Sequence, residues 1–349
     1  MAKKPIDLNE RIIDFVKSHP NCSSSEIYTE LALEISYATL KRALQLLIAE
    51  KLLISVGNLK GTKYQVNPSY EIIRPIDVDE YFTKEIDQRL IQLTFNHDLI
   101  TKKLSGLSLF TPDESARLND LQKQFIVNIS KLTSLEYSKE LERLAIDLSW
   151  KSSQIEGNTY SLLETEKLLK EQETASGRTK DEATMLLNHK DAIDFIVANP
   201  DYIIPLSVAP IEDIHSILVK ELNISRNIRN SRVGISGTNY KPLDNEFQIK
   251  EALTDTCKTI NDKTDVFEKA LLMLVLLSYI QPFGDGNKRT ARIISNGILL
   301  HYKYCPISFR TVDSIEYKKA ILIFYEQNNI SPIKDIFIDQ YAFAVNTYF

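Results

Sequence analysis

The chain is poor in cysteine, in glycine and in long apolar runs. Its three cysteines, Cys22, Cys257 and Cys305, are scattered over 349 residues. That excludes a disulfide framework and points to a reducing compartment, read here as the cytoplasm. Ten glycines leave little material for a turn-rich β architecture, and helical periodicity dominates. The apolar run 270–280 is eleven residues long, too short to cross a bilayer, so no membrane partner is expected. The first residues include two lysines but no apolar core of a signal peptide. A formal net charge of −5 gives no bulk attraction to nucleic acid. Neither a Walker-type phosphate loop nor a G-x-G-x-x-G fingerprint occurs. The five histidines, His19, His97, His189, His215 and His301, show no metal-ligand spacing and read as structural residues.

What is present is concentrated in residues 280–292, Ile-Gln-Pro-Phe-Gly-Asp-Gly-Asn-Lys-Arg-Thr-Ala-Arg. The apolar run before it predicts a buried helix, ended by Pro282 because the residue before a proline is pushed out of the helical region. A second helix is expected from about Asn287 to Tyr302, with Ala291, Ile294 and Ile298 on one stripe. Gly284 and Gly286 permit a tight turn, and a loop feeding a helix N-terminus can hold an anion. Arg289 and Arg292 stand three apart, within reach of one ligand. Asp285 is a hard oxygen ligand suited to phosphate-bound Mg²⁺. Local chemistry alone leaves two readings: a metal-assisted polyphosphate site, or a polar turn followed by a solvated arginine face.

The stretch resembles the signature of the Fic (Fido) family, His-x-Phe-x-[Asp/Glu]-Gly-Asn-x-Arg-x-x-Arg. Phe283, Asp285, Gly286, Asn287, Arg289 and Arg292 match it, Lys288 fills a variable position, and Gln281 stands where the family has histidine. Residues 152–158 resemble the family's inhibitory motif through Ser152, Glu156 and Gly157. That motif is expected at the end of an amphipathic helix over about 138–157. Residues 229–243 resemble its β-hairpin flap, whose Ile235, Ser236, Gly237 and Thr238 would pin the target peptide by strand addition. The resemblance covers residues 81–349 and implies a mainly α fold, the Fic helical bundle with a small hairpin flap.

The resemblance also implies an activity, the transfer of AMP from ATP to a Ser, Thr or Tyr hydroxyl of a protein target. Asp285 would hold Mg²⁺. Phe283, Gly284, Gly286, Asn287, Lys288, Arg289 and Arg292 would bind the nucleotide. Glu156 would pair with Arg292 and restrain the site. Gln281, Asp285, Asn287 and Arg289 occupy the positions of the family's catalytic set. A glutamine amide has no usable basicity, so Gln281 can orient a hydroxyl but not take its proton. Three readings therefore remain open: an autoinhibited AMP-transferase, an ATP-binding regulator without transfer, and a hydrolytic enzyme that removes AMP. A homo-oligomer is left open as well.

Residues 1–67 read as a separate unit. Helices are expected over Leu8–Ser18, Ile27–Leu33 and Tyr37–Lys51. A hairpin of Leu52–Val56 and Lys63–Val66 follows, and the whole resembles a winged helix-turn-helix. The unit carries nine Lys/Arg against seven Asp/Glu. Lys41, Arg42, Lys60 and Lys63 are the residues able to meet DNA phosphates. Residues 68–80 read as a linker.

Overall fold

The computed structural model describes residues 8–32 and 35–349, without the side chain of Lys60. The chain divides into two compact units. One holds the described residues up to Pro75 with Leu109–Ser115; the other holds Ile76–Ser108 and Ala116–Phe349.

The first unit contains α1 (Leu8–Ser18), α2 (Ser24–Glu30) and α3 (Tyr37–Ala49), then strands β1 (Leu53–Val56) and β2 (Lys63–Val66). The strands pair antiparallel, Leu53 opposite Val66 and Val56 opposite Lys63. The Ser23 hydroxyl and the Glu26 carboxylate form a capping box. It satisfies two helix-end donors and starts α2 three residues before the expected Ile27. Leu33, expected near its end, lies outside the described residues. Ile12, Val16, Ile27, Leu40, Leu44 and Leu47 fill the interior. Of the cations expected to meet phosphates, Lys41 lies over the rings of Tyr37 and Tyr64, at 5.6 and 5.9 Å. Lys63 is 3.3 Å from Glu26, Arg42 is exposed, and the Lys60 side chain lies outside the described residues. The stretch 68–80 contains two helical turns, α4 (Tyr70–Ile73) and α5 (Val78–Tyr81).

The second unit is built from helices, with α6 (Pro112–Ile129) leading into it. They are α7 (Ser134–Ile155), α8 (Leu162–Glu171), α9 (Lys180–Ala198), α10 (Val208–Leu218), α11 (Glu246–Asp262), α12 (Val266–Ile280), α13 (Asn287–His301), α14 (Ser314–Gln327) and α15 (Ser331–Thr347). Among the described residues the only sheet is β1–β2, so the fold is mainly α. Every residue of α12 is buried, and α13 packs along it, with Ala291, Ile294 and Ile298 inside as the stripe predicts. Burying each Leu- or Ile-sized side chain stabilises by about 1.5–3 kcal/mol. Helices α7, α9 and α10 also pack on α13, while α11, α14 and α15 pack on α12.

Local chemistry sets the helix ends. Asp265 caps α12 by accepting from the Glu268 amide at 3.0 Å, so the helix starts four residues before the apolar run. Thr133 and Glu136 form a capping box that starts α7 at Ser134, ahead of the expected 138. At the other end of α12, Gln281 precedes Pro282 and adopts φ 53° and ψ 57°, a left-handed backbone that costs a non-glycine residue roughly 1–2 kcal/mol. Arg229 supports it. Its Nε donates to the Gln281 carbonyl at 2.6 Å, its Nη2 to that of Ile280 at 3.4 Å, and its amide to that of Pro282 at 2.9 Å.

The flap differs from expectation. Residues 229–243 contain no strand ladder; a lone bridge joins Thr94 to Lys241. The reason lies in where the polar groups go. The Arg229 amide bonds to Pro282, the Lys241 amide to Leu93, and the Gly237 carbonyl accepts from Arg89 at 2.7 Å. Groups spent on other segments are not available to pair the two arms of a hairpin.

Candidate functional site

The loop between α12 and α13 is braced by Asn287. Its Oδ1 accepts from the Phe283 amide at 2.8 Å, and its Nδ2 donates to the Phe283 carbonyl at 2.8 Å and to Gln281 Oε1 at 3.0 Å. Gly286 is the N-cap of α13, with φ 81° and no side-chain capping bond. A residue with a Cβ would be strained there. The bare cap leaves first-turn N–H groups for an anion.

Two arginines underlie this loop. The Arg289 side chain is 1% exposed and lies 3.3 Å from Asp285 Oδ2. Its Nε and Nη1 have no hydrogen-bond partner among the described residues, an arrangement that calls for an acceptor from outside. The Arg292 side chain is fully buried. It donates through Nε to Ser152 Oγ at 2.8 Å, and through Nη2 to the Ser152 carbonyl at 3.0 Å and Glu156 Oε1 at 2.8 Å. The other oxygen of Glu156 is taken by Lys288 at 2.6 Å. Burial would raise the pKa of Glu156, but Arg292 and Lys288 outweigh it and hold the carboxyl at about 2. It is therefore ionised at neutral pH. The turn after it is fastened as well: Asn158 donates to the Glu182 carbonyl at 2.9 Å, and Thr159 donates to the Glu182 carboxylate through its amide and its hydroxyl.

A cavity of about 380 Å³ opens over these groups. Glu156, Gln281, residues 284–289, Val233 to Ser236 of the flap, and Tyr317, Ile321 and Tyr325 of α14 line it. The Asp285 side chain is 66% exposed there. Several expected site residues are elsewhere. Phe283 is fully buried and stacked on His215, because an apolar ring next to α12 gains most from the core. Gly237 and Thr238 do not line the cavity; they are turned to Arg89 and to the Tyr240 amide. Ser152 and Gly157 act behind Glu156, not at the cavity wall.

Gln281 faces the cavity but is pinned. Its Oε1 accepts from Asn287, and its Nε2 donates to the Ser278 carbonyl at 2.7 Å and reaches the Tyr325 hydroxyl at 3.4 Å. Among the described residues no histidine lines the cavity. Burial pushes the Tyr325 hydroxyl well above its ordinary pKa. Three contributors escaped the sequence reading: Arg229, the second bond of Glu156 to Lys288, and His215. No local pattern marks them, since their partners lie 52, 132 and 70 residues away.

Residues 205–299 match the Fic/DOC family model. The chain carries a Fic/DOC family domain. The protein adenylyltransferase fic-1 of Caenorhabditis elegans is 25% identical over 176 residues, which are 48% of this chain and 34% of that protein. The protein adenylyltransferase Fic of Nematostella vectensis is 27% identical over 191 residues, 53% of this chain and 44% of that protein. The chain thus spans less than half the length of these curated relatives. The fold of this Fic domain is shared with a solved Fic-1 fragment from C. elegans. The TM-score is 0.60 at 20% identity, covering 68% of this chain and 72% of that one. It is shared too with a Fic domain containing signaling protein from Bacteroides thetaiotaomicron, with TM-score 0.57 at 20% identity, covering 66% and 95%.

Proposed function

We propose that this Fic domain is an autoinhibited adenylyltransferase site: it binds Mg·ATP and transfers AMP to a protein hydroxyl, slowly, because among the described residues no histidine faces the cavity to serve as general base. The reading is carried by one observation, the Glu156 carboxylate held between Arg292 and Lys288 at the N-terminal end of α13. A carboxylate tied to two cations beside a bare helix N-terminus occupies a place suited to a phosphate. The adenylyltransferase names of the relatives supply the chemical class.

The donor set suits a metal brought in on the nucleotide. Among the described residues no group of three or more His, Cys, Asp or Glu gathers. Asp285 nevertheless offers an exposed hard oxygen, and Mg²⁺ in such sites takes one or two carboxylates plus substrate phosphates. When bound, it would offset the charge of the phosphates. Arg289, Lys288 and the first-turn amides of α13 would cradle the polyphosphate, and Arg292 would join them once Glu156 withdraws. The open main chain of Val233 to Ser236 would present the target segment by backbone pairing. In the transfer, the target oxygen forms a bond to the α-phosphorus, the bond to the departing pyrophosphate breaks, and the hydroxyl proton goes to solvent. General-base help is typically about 10²–10⁴-fold, and the pinned Gln281 forgoes it.

That pinning also favours a second reading, an ATP-binding regulator without transfer. Both readings are tested by incubating the chain with α-³²P-ATP, Mg²⁺ and cell lysate beside Glu156→Gly, Gln281→His and the double variant. Label from Glu156→Gly, raised further in the double variant, supports the transferase. Label in the double variant alone supports the regulator. Four dark lanes with confirmed ATP binding overturn AMP transfer as the chemistry of this site.

A further inference from the structure

His215 of α10 lies under the loop and does not line the cavity. Its ring stacks on Phe283 with centroids 3.7 Å apart and planes 4° from parallel. Its Nε2 is 2.9 Å from the main-chain oxygen of Asp285, and its Nδ1 is 3.2 Å from that of Arg226. A Cβ built on Gly286 would meet the ring's Cδ2 and Nε2 at 3.4 Å. One side chain therefore touches Phe283, Asp285 and Gly286 by stacking, hydrogen bonding and close packing.

These contacts bear on Asp285. Its peptide sits between two glycines, whose backbones are the most permissive of any residue. Among the described residues, the exposed carboxylate has only the Gly286 amide, at 2.6 Å, and the long contact to Arg289 to orient it. A carbonyl oxygen can only accept, and a neutral imidazole has one N–H; with that proton on Nε2, at the shorter of the two contacts, the ring donates to the Asp285 carbonyl and holds it down, away from the cavity. The carboxylate of the same residue is then left standing at the cavity. Both ring nitrogens face main-chain oxygens and the ring is buried, so His215 does not replace the base missing at Gln281.

We propose that His215 is a positioning residue for the metal and polyphosphate site, acting through its Nε2–H on the Asp285 main chain. The proposal rests on the Mg·ATP reading of the cavity. Groups that hold a metal ligand from behind typically contribute about 10–100-fold to metal affinity.

The test compares the full chain with His215→Phe, which keeps a stacking ring without the donor, His215→Gln, whose amide reaches the Nε2 position, and His215→Asn, whose amide reaches only the Nδ1 position. ATP affinity is measured by calorimetry in Mg²⁺ and in EDTA, with thermal unfolding alongside. His215→Phe and His215→Asn are expected to weaken Mg·ATP binding roughly 10–100-fold with little change in EDTA, and His215→Gln to recover most of the loss. Unchanged Mg·ATP affinity in His215→Phe overturns the proposal, as do equal losses in Mg²⁺ and EDTA, or a His215→Gln no better than His215→Asn. Absence of ATP binding by the unaltered chain overturns the Mg·ATP reading itself, and this proposal with it. Should His215→Phe not fold, Gly286→Ala probes the contact from the loop side. A Mg²⁺-specific loss there, with recovery in His215→Gln, supports the role, and losses blind to Mg²⁺ refute it.

Discussion

Lys288 Nζ sits 2.6 Å from Glu156 Oε2, on the carboxylate oxygen that Arg292 does not use. Glu156 is thus gripped by two cations of the same helix, α13. Both are cations that the proposed function assigns to phosphate. On that proposal, Glu156 and a polyphosphate compete for the same partners.

Removing the carboxylate should destabilise the empty protein and favour the nucleotide. In Glu156→Gly the buried Arg292 loses its carboxylate partner and keeps its bonds to Ser152 and the Tyr317 ring 5.3 Å away. Taking one partner from a buried ion pair costs about 3–5 kcal/mol. The expected result is a lower melting temperature without ligand and a larger ATP-induced rise than in the unaltered chain, read by differential scanning calorimetry. An equal or smaller rise refutes competition.

Acid should release the same contact. The carboxyl of Glu156 is held at about 2 in the fold, against an ordinary value of 4.5. A depressed carboxyl pKa contributes stability fully above the unfolded value and loses it as pH falls through the folded one. The contribution, on the order of 3 kcal/mol, should fade from about pH 4.5 down to pH 2. Other carboxylates titrate there too, so the quantity to measure is the difference in unfolding free energy between the unaltered chain and Glu156→Gln. A difference that does not shrink over that window sinks the prediction.

Arg229→Ala should loosen the end of α12. The carbonyls of Ile280 and Gln281 would lose their donor, at about 1–3 kcal/mol for each buried group left unmet. Urea unfolding should show a loss of roughly 2–4 kcal/mol, and ATP affinity should drop as Gln281 and Pro282 lose their support. Full stability in the variant would show that water replaces the guanidinium.

Gly297→Ala, in the middle of α13, tests the packing behind the site. A Cβ there would lie 2.5 Å from Cδ1 of the buried Ile203. Replacing a mid-helix glycine by alanine ordinarily gains about 1 kcal/mol, whereas overpacking costs about 1–3 kcal/mol. The clash should win, giving a net loss of roughly 1 kcal/mol by chemical denaturation. A stabilised variant would mean that Ile203 swings aside at no expense.

Much of this was legible in advance. The buried run 270–280, the stop at Pro282, the start of α13 at Asn287 and the stripe Ala291, Ile294, Ile298 follow from periodicity and backbone chemistry within a few residues of each other. Ser152 and Glu156 meet one guanidinium as their spacing on one helix face requires. The hairpin expected over 229–243 is absent because its polar groups bond to Leu93, Pro282 and Arg89, partners that no local window contains. Phe283, placed with the nucleotide by its position in the motif, is drawn instead into the core beside His215.

By itself, then, the chain determined the short-range facts: which segments are helical, where they stop, and that Asp285, Asn287, Arg289 and Arg292 stand at fixed spacing on one loop and helix. Steric limits and hydrogen-bond closure within a few residues decide those. Only the tertiary structure decided that Glu156 meets Lys288 as well as Arg292, that Arg229 caps α12, and that a histidine 70 residues before Asp285 meets its main chain. Those are encounters between distant segments, and the packing of α7, α10 and α13 creates them.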